Sequence, residues 1–327
     1  MVINMQSKPA PDFYEDNKLG YTKPRVWVLG FLTFFFILII APYIVYFISN
    51  IFVRRLLIAG YVNSYDPNYF LLVVWDWLPS VILYGFGIWF VQRKLRGRPL
   101  LKVITAAKMF RWERLLAAIT VFLSVTAVFL FVEALFANGT TEVFVAEEAR
   151  QLLSFDYEYS GFTLKFWLGL PAVLLLSPLN SAFQEIIFRG FADQGLTKFL
   201  PSKILAFGVS SILFALYHYG NTEMYYGVVP YLLMMVIFGL SLSIITSMDG
   251  GLEAAIGIHI ANNLFYFLII GSPDAGWLPT WLFSYRLEQY TFQTILLDIV
   301  FFFLCVYLLS IWNFGLADRK RKAVNKT

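Results

Sequence analysis

The chain has 327 residues, 59% of them hydrophobic and 19% aromatic, with 14% charged residues and a mean hydropathy of +0.68. That composition excludes a soluble globular domain and defines a polytopic membrane protein. The net charge of +4 sits in loops and tails rather than on one helix face interleaved with aromatics, so membrane lipid is the expected surrounding and nucleic acid is not an expected partner.

Residues 1–22 are polar and read as a short cytoplasmic tail. The first apolar run after them has spanning length, so no cleavable signal peptide is expected. Windows of about 20 apolar residues, the length that crosses a ~30 Å hydrocarbon core, fall at about 27–49, 69–91, 115–136, 165–191, 203–219, 228–247, 252–271 and 291–313. The expectation is an all-α fold: a bundle of about eight transmembrane helices forming a single membrane domain over 23–317, with a basic C-terminal tail at 318–327. No repeat of fixed period and no linker divides it. The 92–114 loop holds eight Lys or Arg against one Glu, and the tail DRKRKAVNK is also basic. Both belong on the cytoplasmic side by the positive-inside bias, whereas the acidic segment after the third span suits the outer side. Eight spans then put both termini in the cytoplasm, with the plasma (inner) membrane as the expected location; Arg54 and Arg55 fall outside and count against this topology. The single Cys305 lies in the run FFFLCVYLL, where it reads as apolar filler without a disulfide partner.

Ionisable residues within the windows are few: Asp76, Glu133, Glu185, Arg189, Glu253 and Asp298. Taken singly, each reads as an interfacial residue or a structural polar contact. The histidines read differently. The chain has two, His218 and His259, both in apolar helical context near an intramembrane carboxylate, and imidazole with carboxylate is the pairing that proton transfer and metal binding use. Glu185 and Arg189 are four residues apart and share a helix face, while Gln184 lies about 100° round the helix from Glu185. An antiparallel hairpin turning at Leu200 and Pro201 sets residue 185 level with about residue 216, within one turn of His218. His259 and Asn263 are also four apart. Three helices converging here would build a polar pocket of Glu185, His218, His259 and Asn263.

The three pieces QEIIFR (184–189), FALYH (214–218) and HIANN (259–263) resemble the E-E-x-x-x-R, F-x-x-x-H and H-x-x-x-N motifs of the CPBP intramembrane proteases. That family includes the type II CAAX prenyl endopeptidases and the Abi-like bacteriocin-processing or immunity proteins. The resemblance covers about 165–271. It implies an intramembrane endopeptidase acting on a peptide or protein substrate with a hydrophobic or lipidated segment. In the family's pattern, the first Glu and the histidine of the second motif polarise a water, while the last His and Asn, here His259 and Asn263, stabilise the oxyanion. Two such donors lower the barrier by about 3 to 4 kcal/mol each. A metal-dependent version would hold a divalent ion such as zinc on His218, His259 and Glu185.

The position of the family's first Glu is Gln184, and an amide cannot serve as general base. Three readings follow. Glu185 takes over as base, although it also faces Arg189. Catalysis is lost and the protein persists as a binding, immunity or scaffold protein. Or the Gln is an introduced inactivating change. A proton-coupled transporter is a more distant alternative, opposed by the lack of a duplicated set of broken helices.

Overall fold

The computed structural model describes residues 13–14, 23–40, 44, 47, 51, 69–137, 157–159, 164–221, 223–224, 227–271, 282–285 and 292–324. Arg54, Arg55, the acidic segment from 138 to 156 and the last residues of the basic tail lie outside them, as do the side chains of Asp76 and Glu133.

The architecture is all-α. Each apolar window falls on a helix: α1 Pro24–Phe35, α2 Tyr69–Trp89, α3 Trp112–Ala137, α4 Leu164–Glu185, α5 Lys203–Tyr217, α6 Val228–Asp249, α7 Glu253–Leu268 and α8 Phe292–Val324. Among the described residues, three helical stretches are long and apolar enough to cross a membrane by themselves: Trp112–Val132, Gly169–Phe199 and Val228–Asp249. Large apolar side chains point away from the bundle on these and neighbouring helices. Phe131 is 64% exposed, Leu175 63%, Val229 60% and Phe303 71%, an arrangement suited to lipid and costly in water.

Local chemistry sets the helix ends. Pro24 opens α1 at the first helical position, where its missing N–H is not needed. The Ser202 hydroxyl accepts from the Leu205 N–H at 3.2 Å and caps α5. Gly250, at φ 69°, ends α6 in the left-handed conformation that a residue without Cβ tolerates. The fourth window runs further than its apolar composition indicates. After Glu185 the helix continues as a π-helical stretch, Ile186–Asp193, and then as α-helix over Gln194–Phe199. The π stretch is buried throughout.

Packing centres α7, which lies against both α3 and α4, while α6 lies against α5 and α8 and α2 against α4. One apolar cluster joins these helices, with Phe191, Phe214, Leu242 and Ile258 fully buried within it. Phe191 is ringed by Trp27, Phe31 and Phe34 at centroid distances of 4.9, 5.1 and 4.9 Å.

Three features depart from the sequence reading. A small sheet, in the order β1 (Tyr157–Tyr159), β3 (Phe283–Tyr285) and β2 (Ile270–Gly271), joins segments that lacked a strand signal. The basic 92–114 segment is not a solvated loop throughout: Arg96 and Arg98 are fully buried, with Arg96 donating to Gln92 at 3.3 Å and Arg98 to Gln194 at 3.0 Å. Within the segment read as a tail, Phe13 and Tyr14 are buried, and the Tyr14 ring packs 5.3 Å from that of Phe207.

Candidate active site

Three helices bring the motif side chains together. Gln184 and Glu185 end the α-helical part of α4, where the π stretch begins. His218 follows the last turn of α5, and His259 and Asn263 lie along α7. π-Helical turns inside α-helices recur at functional sites because they displace side chains from the regular helical face.

Glu185 is the centre of the cluster. Its Oε1 accepts from His259 Nδ1 at 2.7 Å and from Arg189 Nη1 at 3.3 Å. All three residues are at most 2% exposed. A carboxylate accepts and does not donate when ionised, so His259 carries a proton on Nδ1 and its ring orientation is fixed by the pair. The Arg189 guanidinium also lies 4.3 Å from the centre of the Phe214 ring. Among the described residues, Oε2 of Glu185 has no hydrogen-bond partner, and neither do Nε and Nη2 of Arg189.

His218 caps α5 rather than lying within it. Its Nδ1 sits 2.8 Å from the Phe214 carbonyl oxygen. A carbonyl can only accept, so Nδ1 is the protonated nitrogen and Nε2 is left as the basic one. The two imidazoles meet the same aromatic residue: Phe214 is 4.4 Å from the His218 ring and 6.0 Å from the His259 ring, centroid to centroid. Phe238 packs on the His259 ring at 5.3 Å, and Tyr217 on the His218 ring at 5.0 Å.

Asn263 donates from Nδ2 to Ser181 Oγ at 2.9 Å, so α4 supplies a support for the amide as well as the carboxylate. Gln184 is 4% exposed, and its Oε1 has no hydrogen-bond partner among the described residues. Glu185, Arg189 and His259 are thus in direct contact, His218 joins through Phe214, and Asn263 is anchored one turn of α4 away. Sequence reasoning did not single out Ser181 or Asp193. Asp193 is fully buried at the end of the π stretch, and the only signal for it was a carboxylate two residues beyond an apolar window.

The arrangement does not fit a zinc centre. Among the described residues, no three His, Cys, Asp or Glu side chains gather as a ligand set. One oxygen of Glu185 is already held by an imidazole N–H and a guanidinium, and the latter's charge opposes a dication beside it.

The fold and cluster define an integral membrane protein with a buried Glu, His, His and Asn constellation carried on three helices. Residues 165–265 match the family model described as type II CAAX prenyl endopeptidase Rce1-like, the segment in which all three motifs lie. The resemblance drawn from those motifs is therefore borne out. Among curated proteins, the uncharacterized protein YyaK of Bacillus subtilis (strain 168) is 26% identical over 213 residues, covering 62% of this chain. The match spans 64% of that relative's own length. No solved structure matches the chain.

Proposed function

We infer that the chain is an intramembrane endopeptidase of the CAAX type. It hydrolyses a peptide bond of a membrane-associated peptide or protein that carries a hydrophobic or lipidated segment, in a plasma membrane with both termini cytoplasmic. The observation that carries this reading is the contact of Glu185 Oε1 with His259 Nδ1 at 2.7 Å, with His218 held across the Phe214 ring. Those motif residues come from separate helices, and a purely structural role for one carboxylate would not require both histidines against the same aromatic ring.

His218, protonated at Nδ1 by its bond to the Phe214 carbonyl, offers Nε2 to take a proton from water. Glu185 Oε2 accepts the water's other hydrogen and orients it, while Oε1 holds His259. The water oxygen bonds to the scissile carbonyl carbon, and the carbonyl oxygen becomes an oxyanion. Asn263 donates to it with the amide hydrogen that Ser181 does not use, and the His259 ring, held by Glu185, completes the oxyanion site that the family pattern implies. The proton on His218 passes to the leaving amine as the carbon–nitrogen bond breaks. A proton relay of this kind contributes about 10²- to 10⁴-fold.

One observation favours a second reading, a catalytically weak or inactive relative that binds membrane partners. The position that would carry the water-activating carboxylate is the buried amide Gln184. Cleavage of a library of hydrophobic peptides by detergent-solubilised protein separates the two. Under the enzyme reading, the chain as given cuts, His218→Ala lowers the rate by about 10²-fold or more, and Gln184→Glu raises it. Cutting by Gln184→Glu alone supports the binding reading.

A further inference from the structure

A protease buried among membrane helices consumes one water per bond cut, and that water must reach the carboxylate through apolar surroundings. The inner face of the π stretch offers a route. Arg189 lies between two buried carboxylates, in contact with Glu185 on one side and within charge range of Asp193 on the other. Asp193 is fully buried, with Ser210 on α5 and Ser243 on α6 as hydrogen-bonding neighbours of its carboxylate. Each of these hydroxyls also meets a backbone carbonyl at 3.2 Å, Ser210 that of Phe188 and Ser243 that of Gly239, so a hydrogen given to one acceptor is lost to the other.

Gln184 Oε1, Glu185 Oε2, and Arg189 Nε and Nη2 form a run of buried polar atoms without partners among the described residues, and Asp193, whose two hydroxyl neighbours are shared with backbone carbonyls, extends it. Leaving such atoms dry costs about 1 to 3 kcal/mol each, and more for charged ones. Bare cations would serve only the acceptors and be repelled by Arg189. Water serves donors and acceptors alike, typically with about three hydrogen bonds per buried molecule.

We propose that the face of 184–193 turned toward Ser210 and Ser243 is a hydrated seam, with Asp193 as its inner water-binding residue, that conducts water from the basic-loop end of the bundle to Glu185. Eight residues separate Glu185 from Asp193, about 12 Å of helix at 1.5 Å per residue. Gln194, the next residue, bonds to Arg98 of the basic segment, whose neighbours Gly97 and Pro99 are exposed. The seam deepens the endopeptidase reading and rests on it for its purpose, but its hydration is measurable without any cleavage.

The test is thiol accessibility in a Cys305→Ser background, which removes the chain's one native thiol. A small charged methanethiosulfonate reacts with a thiolate, and a thiolate forms only where water reaches. Asp193→Cys and Ser210→Cys should react at least tenfold faster than Ala206→Cys, which is equally buried, on the same helix as Ser210 and nearer the 200–202 turn. Equal rates at all three positions overturn the seam. Hydroxyl-radical footprinting of the unmutated protein gives an independent readout. Phe214, against Arg189, should be oxidised severalfold more than Phe191, although both are fully buried. Equal protection of the two rings overturns the proposal. A labelled seam in a chain that cuts nothing would defeat the endopeptidase reading alone, whereas cleavage without labelling would defeat the seam alone.

Discussion

Two ionic clusters meet α7, and they are built from the same groups to opposite effect. At its first residue, Glu253 binds Arg111 through both oxygens, at 3.0 Å to Nε and 2.6 Å to Nη2, and also accepts the Arg111 backbone N–H at 3.2 Å. Arg111 reaches Asp249 as well, through its carboxylate and its carbonyl, both at 2.8 Å, and Arg114 approaches the second Asp249 oxygen at 3.5 Å. Every carboxylate oxygen is engaged. Burial alone would lower the Arg111 guanidinium, but the Glu253 hydrogen bonds and the Asp249 charge hold it above its ordinary value. Two turns along the same helix, His259 meets Glu185, which also holds Arg189, and there Glu185 Oε2 and Arg189 Nε and Nη2 find no partner among the described residues. A satisfied network fixes geometry, whereas one with open capacity can take up water or a reacting group. The first cluster clamps α7 to the 92–114 segment, and the second is what the clamp positions.

That contrast is broken most forcefully at Glu253. Removing one partner of a buried ion pair costs about 3 to 5 kcal/mol because the other charge is left behind. Arg111 keeps Asp249 and is 20% exposed, so Glu253→Ala should fall near 3 kcal/mol, the low end of that range. Chemical denaturation in detergent measures it. Glu185→Gln also strands a guanidinium, that of the buried Arg189, but it keeps the side chain's shape and an oxygen that accepts, and Asp193 stays within charge range, so it should cost no more than Glu253→Ala while removing cleavage. A larger loss of stability at Glu185 than at Glu253 would erase the distinction between clamp and site.

The reach of the sequence differs between these regions for physical reasons. Hydropathy over windows of spanning length located the eight long helices among the described residues, though not the short turn Leu101–Ile104, since lipid demands continuous apolar surface whatever the packing. The i, i+4 spacing of Glu185 with Arg189 anticipated their contact, and after the turn at Pro201 α5 carries His218 to the Phe214 ring that His259 also meets. A π stretch has no comparable signature. By carrying the buried helix on to Asp193 it placed a carboxylate inside the bundle that an apolar window ending at 191 leaves out. Positive charge told which loop should face the cytoplasm but not that Arg96 and Arg98 would be enclosed, because enclosure depends on Gln92, Gln194 and the Trp27 ring arriving from other segments. Ser181 was equally silent, as a serine in a greasy helix usually bonds its own backbone.

A smaller effect is expected at Gly257, on the α7 stretch between clamp and site. A Cβ there would meet the Leu115 carbonyl oxygen at 2.5 Å and the Ala118 methyl at 3.0 Å, so α7 and α3 must part. Overpacking of this kind costs about 1 to 3 kcal/mol. Gly257→Ala should therefore destabilise less than Glu253→Ala in the same denaturation measurement, yet slow cleavage by displacing His259 two residues on. Unchanged stability and rate would show that the helices have slack at this contact.

The smallest perturbation tests orientation alone. The Ser181 hydroxyl donates to the Ser177 carbonyl at 3.0 Å, which leaves its oxygen only lone pairs to offer Asn263. Those lone pairs select the Nδ2 side of the amide, and Asn262 supports the choice by donating to Asn263 Oδ1 at 3.3 Å. Ser181→Ala removes one neutral hydrogen bond, worth about 0.5 to 1.5 kcal/mol, and frees the amide to turn over. Stability should barely change, while kcat should fall severalfold with KM held, because an amide oxygen facing the oxyanion repels the charge it should stabilise. Ser181→Thr, which restores an acceptor at the same place, should recover the rate. A loss of rate that Thr fails to rescue would mean that Ser181 acts by packing α4 against α7 and not by aiming Asn263.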